Sequence, residues 1–162
     1  MANGAEGASE AVKGELTGGC LCGAVRYRLE EGFRLNPYAC HCTDCQTRTG
    51  SAFSQHMLFT LQDLAIEGET DCGSYTQPSG VEASIIGCPI CKARIYASNP
   101  TRPGFASLRC GTLDQSDELE LGAQIWVKSK QPWIKLSDNA RTMQEAPTSS
   151  QEWVEFLGIV GQ

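Results

Sequence analysis

Cys40-His41-Cys42-Thr43-Asp44-Cys45 decides how this chain is read, together with Cys20-Leu21-Cys22 before it and Cys88-Pro89-Ile90-Cys91 after it. Residues i and i+2 of an extended segment face the same way, and C-x-x-C is the tight turn of a zinc knuckle. Each cluster therefore brings thiolates close enough to share an ion. A structural zinc ion takes four ligands, and no single cluster supplies four cysteines. The economical division joins Cys20 and Cys22 to Cys88 and Cys91 as a structural zinc site. Cys40, Cys42 and Cys45 are left for a second zinc ion with its fourth position open to water or an outside ligand. Three thiolates blunt the acidity of one Zn²⁺, so capture of a soft thiolate suits this second site better than activation of water. Cys72, Cys110, His41 or His56 could close it instead and make it structural. His41, between two ligands on an extended segment, is expected to face the other way. Cys72 and Cys110 read as small buried hydrophobes.

Nine cysteines in 162 residues call for metal rather than disulfides, because no stretch at the start reads as an export signal and cytosolic thiols stay reduced. The expected location is cytoplasmic. A net charge of -6 gives no basic footprint for nucleic acid or an anionic membrane, and no apolar run is long enough to cross a bilayer. A small-molecule partner is the reading that fits. With 41% hydrophobic residues the length supports one core, so a single domain is expected over 15–162. Residues 1–14, rich in Ala, Gly, Glu and Ser, read as a flexible N-terminal tail.

Short β-rich runs separated by Gly and Pro give a mainly β fold, with strands expected over 24–29, 52–59, 81–86, 105–109 and 124–127. Thr60-Leu61-Gln62-Asp63-Leu64 reads as one helical turn capped by Thr60. A short C-terminal helix is expected after Ser149, where Ser149-Ser150-Gln151-Glu152 has the capping-box spacing. Trp153, Phe156, Leu157 and Val160 follow it at i, i+3, i+4 and i+7.

Over about Thr17 to Met143 the chain resembles the glutathione-dependent formaldehyde-activating enzyme family, also called the centromere protein V family. The resemblance rests on Gly18-Gly19-Cys20-Leu21-Cys22-Gly23-Ala24-Val25-Arg26-Tyr27, on Cys40 to Cys45 with Gly50-Ser51, and on Gly87-Cys88-Pro89-Ile90-Cys91. Gly111-Thr112-Leu113-Asp114 and the region around Trp133 look like the family's later segments. The resemblance implies an Mss4-like zinc-binding β-sheet fold with the same division of cysteines. It also implies an enzyme acting on glutathione adducts, either an S-hydroxymethylglutathione synthase or a carbon-sulfur lyase. Glutathione is then cosubstrate or part of the substrate, beside two zinc ions per chain. A non-enzymatic zinc-stabilised binding module is the competing expectation, because fold does not fix function.

Two positions depart from the family pattern. Gln46-Thr47 replaces the usual basic pair after Cys45, leaving Arg48 as the first cation there, and Lys92 replaces the usual Gly after Cys91. Arg48, Lys92, Arg94, Arg102 and Arg109 are the candidates for glutathione carboxylates, since carboxylates favour paired Arg donors. Asp44 and Asp114 are candidate proton carriers, although turn and capping roles suit them too.

Overall fold

Alternation along the chain builds two sheets, described by a computed structural model over residues 9–77 and 79–162. The strands in chain order are β1 (Leu16–Gly19), β2 (Arg26–Leu29), β3 (Tyr38–Cys40), β4 (Ser54–Thr60), β5 (Leu64–Glu67), β6 (Asp71–Thr76), β7 (Glu82–Gly87), β8 (Arg94–Ser98), β9 (Phe105–Arg109), β10 (Ala123–Ile125) and β11 (Arg141–Thr142). Two helices join them, α1 (Thr43–Thr49) and α2 (Ser150–Leu157). The small sheet has the order β1-β2-β5, and the large one runs β11-β10-β3-β4-β9-β8-β7-β6. Pairing is antiparallel except at β10, which runs parallel to both β3 and β11.

β4 is central because both of its faces are buried. Met57 and Phe59 enter one core with Leu16, Val25, Tyr27 and Leu29 of the small-sheet region and Ile95 and Leu108 of the large sheet. Leu58, on the opposite face by strand periodicity, enters a second core with Leu35, Tyr38, Ile125 and Leu157, against which Trp153 and Val154 of α2 pack. The small sheet thus covers one face of the large sheet and α2 covers part of the other. Val12 belongs to the first core, so the segment expected to be a tail has an anchored end. Residues 1–8 of that segment lie outside the described residues.

The mainly β expectation and the C-terminal helix hold. The strand expected over 105–109 forms over those same residues, and the others form with ends shifted by a few positions. Val127 leaves its expected strand for a 3₁₀ turn that starts at Trp126, whose φ of 57° breaks the extended run. The Thr60 turn is a 3₁₀ turn over Leu61–Asp63, but the Thr60 hydroxyl donates to the Phe33 carbonyl at 3.5 Å and does not cap it. At α2, Ser149 Oγ accepts from the Glu152 amide at 3.2 Å, as a capping box requires. The Glu152 carboxylate reaches back one residue further than expected, to the amide and hydroxyl of Thr148 at 2.6 and 2.9 Å. The helix stops at Gly158, so Val160 lies beyond it and its amide donates to the Arg34 carbonyl.

Phe59 is fully buried and meets Tyr96 edge to face, with centroids 6.2 Å apart. Phe59→Ala is expected to cost about 3–5 kcal/mol of unfolding free energy, read from urea melts at fixed metal content.

Candidate metal and thiol centre

Two groups of sulfurs converge. The Sγ atoms of Cys20, Cys22, Cys88 and Cys91 lie within 4.8 Å of one another, and so do those of Cys40, Cys42 and Cys45. Cys20 and Cys22 flank the turn from β1 to β2, where the Cys20 amide bonds to the Val25 carbonyl, and the Val25 amide donates to Cys20 Sγ at 3.3 Å. Cys88 and Cys91 sit on the turn from β7 to β8, where the Ile90 amide donates to Cys88 Sγ at 3.4 Å. Amides pointing at sulfur stabilise thiolates, the form that binds metal. Separations of 3.6 Å for Cys20–Cys22 and 3.7 Å for Cys22–Cys88 fit a tetrahedral ion, whose sulfurs at about 2.3 Å stand about 3.8 Å apart.

Lys92 closes the knuckle with a φ of 61°, in the left-handed region, and its Nζ lies 3.2 Å from Asp71 on the neighbouring β6. That ion pair is exposed and offsets little of the backbone strain.

The group of three lies at the end of β3 and the start of α1. Cys42 is the N-cap of α1, its Sγ accepting from the Cys45 amide at 3.3 Å. Sulfhydryl contacts from Cys40 and Cys45, helped by the amides of Cys45 and Asp44, hold the Cys42 thiol far below the usual thiol range against the opposing effect of burial. The same contacts and burial push Cys40 upward. One negative charge therefore settles easily on Cys42, and ionising all three thiols calls for a cation. Among the described residues no histidine or carboxylate joins either group, so an ion at the trio has three protein donors. Cys110 is buried in the first core as expected, whereas Cys72 is exposed on the edge strand β6, which has no covering layer to bury it.

His41 faces away from the sulfurs. Its Nε2 meets Gln124 Oε1 at 3.1 Å and its ring packs against Phe53. His56 is the imidazole beside the trio, with Nε2 3.9 Å from Cys45 Sγ and 3.3 Å from Arg109 Nη1. Arg109 offers only donors, so Nε2 accepts and the ring proton sits on Nδ1, which donates to Ser107 Oγ at 3.1 Å. Burial first, then the Arg109 charge, push His56 down to about 3, so the ring is neutral. Sheet register creates this arrangement, because His56 on β4 pairs with Arg109 on β9 and with Tyr38 on β3, and the Tyr38 ring stacks on His56.

The five candidate cations separate. Arg109 stands at the trio, also donating to Ser54 Oγ, and burial above all lowers its pKa, with the Cys45 thiolate opposing that and Arg94 adding to it. Arg48 follows Cys45 by one helical turn, bonds Asp44 at 3.7 Å and lies over the Tyr75 ring at 3.0 Å from its centroid. Lys92 belongs to the knuckle, Arg94 opens β8 with its Nη1 buried and without a hydrogen-bond partner, and Arg102 lines a separate apolar pocket. Asp114 is held by Arg26 and Thr17, which together keep its carboxyl below the usual range and leave it outside the trio.

The opposite flank of α1 brings together groups that are distant in the sequence. Gln46, Thr47, Gly50, Ser51, Ala52, Gln131 and Trp133 line an open groove of about 510 Å³. Trp133 donates to Gln131 at 2.7 Å, Gln131 to Gln46 at 3.3 Å, and Gln46 to the carbonyls of His41 and Ser129 at 2.8 and 2.9 Å. Gln46 thus braces the cysteine loop at a position where the family pattern has a basic residue.

Cys20→Ser or Cys91→Ser is expected to lower the melting temperature by about 10 °C or more, because metal binding at a four-sulfur site is folding free energy. Cys42→Ser is expected to stay within about 3 °C of the parent in the same calorimetric scans. Lys92→Gly is expected to raise stability by about 0.5–1 kcal/mol in a denaturant melt, since relief of the left-handed strain exceeds the entropy that glycine adds to the unfolded chain.

A crystal structure of a Rhodobacter sphaeroides protein aligns with 60% of this chain and 87% of its own, at 21% identity and a TM-score of 0.46. No match is found among curated proteins. The family described as glutathione-dependent formaldehyde-activating enzyme matches residues 15–129, a stretch that contains both sulfur groups, and the chain belongs to that family.

Proposed function

We propose that the protein is a zinc-dependent enzyme that makes or breaks a carbon–sulfur bond in a glutathione adduct. The observation that carries this reading is the trio of Cys40, Cys42 and Cys45, three sulfurs within 4.8 Å of one another that, among the described residues, no histidine or carboxylate joins. Cys20, Cys22, Cys88 and Cys91 hold the structural zinc and the trio holds the second. The trio's zinc supplies a soft cation able to keep an incoming thiol ionised at neutral pH.

The chain's own residues receive the rest of the tripeptide. Arg109 offers a guanidinium beside Cys45, and Arg48, held over Tyr75, adds a second cation within one turn of it. Both suit the carboxylates of a thiol that reaches the trio. On the other flank, Thr47 and the exposed indole of Trp133 border a groove of a size that fits a peptide-like molecule. His56 is neutral and faces the sulfurs through Nε2, so it can accept a hydrogen bond there without adding charge.

Elemental analysis is expected to return about two zinc ions per chain, falling to about one in Cys42→Ser. Saturating glutathione is expected to raise the melting temperature of the zinc-loaded protein by about 5–10 °C, as a ligand selective for the native state does. S-methylglutathione keeps the same carboxylates but carries a thioether, a far poorer zinc ligand, and is expected to protect much less. Equal shifts from the two compounds would remove the metal–sulfur step from the proposal.

A further inference from the structure

A second cavity lies on the same face of the large sheet as the trio, further along β4. Ser54, His56 and Leu58 are successive same-face positions of that strand, each step about 7 Å long. Ser54 and His56 face the Arg109 side of the trio, and Leu58 floors the cavity. Its volume is about 310 Å³, at the lower end of small-molecule sites. Leu35, Leu58, Phe105, Pro103, Trp153 and Val154 give it apolar walls. Phe33 and Phe105 meet edge to face at its rim with centroids 5.7 Å apart, yet remain 37% and 39% exposed. Tyr38 and Trp153, packed 5.3 Å apart, separate the cavity from His56.

One cation marks its mouth. Arg102 is half-buried and, among the described residues, its guanidinium makes no ion pair or hydrogen bond. The loop that carries it is fixed in place. Asn99 Oδ1 accepts from the Thr101 amide and hydroxyl at 3.0 and 2.6 Å, the Arg102 amide donates to the Asn99 carbonyl, and Gly104, at a φ of 81°, accepts from the Leu61 amide. A guanidinium held at the rim of an aromatic pocket presents paired donors to a carboxylate whose carbon body enters the walls.

We infer that this cavity is a second small-molecule site, taking an apolar monocarboxylate with its aryl or alkyl body against Leu58, Phe105 and Trp153 and its carboxylate on Arg102. The site lies apart from the sulfurs, across Tyr38, and needs no metal. Occupancy places a ligand against Trp153, which makes tryptophan emission a direct reporter.

The experiment titrates the full chain with phenylbutyrate and with phenylbutanol, following tryptophan emission at neutral pH. Phenylbutyrate is expected to give a saturable change, and Trp153→Phe is expected to abolish the signal while competition calorimetry still detects binding. Arg102→Ala is expected to weaken phenylbutyrate at least tenfold and leave phenylbutanol unchanged. Val154→Trp, which fills the cavity from a half-buried helix position, is expected to abolish binding of both, with far-UV circular dichroism reporting whether the fold is kept. Absence of saturable phenylbutyrate binding at millimolar concentration would overturn the inference. So would equal affinity of the Arg102→Ala variant and the parent for phenylbutyrate.

Discussion

The constraint on which the rest of this structure depends is the meeting of two distant turns at one cluster of sulfurs. Cys22 and Cys88 are 66 residues apart in sequence and 3.7 Å apart at sulfur. The first belongs to the small sheet and the second to the large one, so the cluster fixes how the two sheets lie against each other. Between them lies the first core, with Tyr27 and Leu29 from one side and Met57, Phe59 and Leu108 from the other. A layer of three short strands buries little apolar area by itself, and a metal held by these sulfurs would cross-link its end and supply the missing restraint.

The trio depends on that frame indirectly, through β4. His56 owes its position to pairing with Arg109 and Tyr38, while its neighbour Met57 is buried in the first core. The same strand therefore carries the wall of the candidate site on one face and the packing of the domain on the other. Gln46 does comparable work from α1, joining the cysteine loop to Ser129 and Gln131.

The cysteine clusters were legible in the sequence because their internal spacing is local, and joining the two pairs into a group of four followed from the four ligands a structural zinc ion takes; the sulfurs converge in those two groups. Strands such as β9 were legible too, since Ala106 and Leu108 alternate with Ser107 and Arg109. β6 was not, because Asp71-Cys72-Gly73-Ser74 is an edge run with no buried face and no apolar period. α1 escaped for a related reason. It is one turn longer than its own cysteine ligands, buries nothing fully, and is capped by a thiol instead of the usual Ser, Thr, Asp or Asn. The choice among the five cations needed strand register, which places Arg109 opposite His56, and the Trp133–Gln131–Gln46 chain joins segments 85 residues apart. Spacing in a single sequence carries no information about either.

The difference in reach between the two sulfur groups also sets an order of assembly. Cys40, Cys42 and Cys45 all lie within one short segment, so the trio's three donors emerge from the ribosome together. The other group lacks half its donors until Cys91 has emerged, on the order of seconds later at ordinary rates of synthesis. During that interval Cys20 and Cys22 form an incomplete chelate on a nascent chain, and closing the remaining loop carries the larger entropic cost. The trio's three donors are thus present before those of the four-sulfur group are complete, while Arg109, which stands beside the trio, emerges after both, and a metal held by the two groups would have to be on hand throughout that interval.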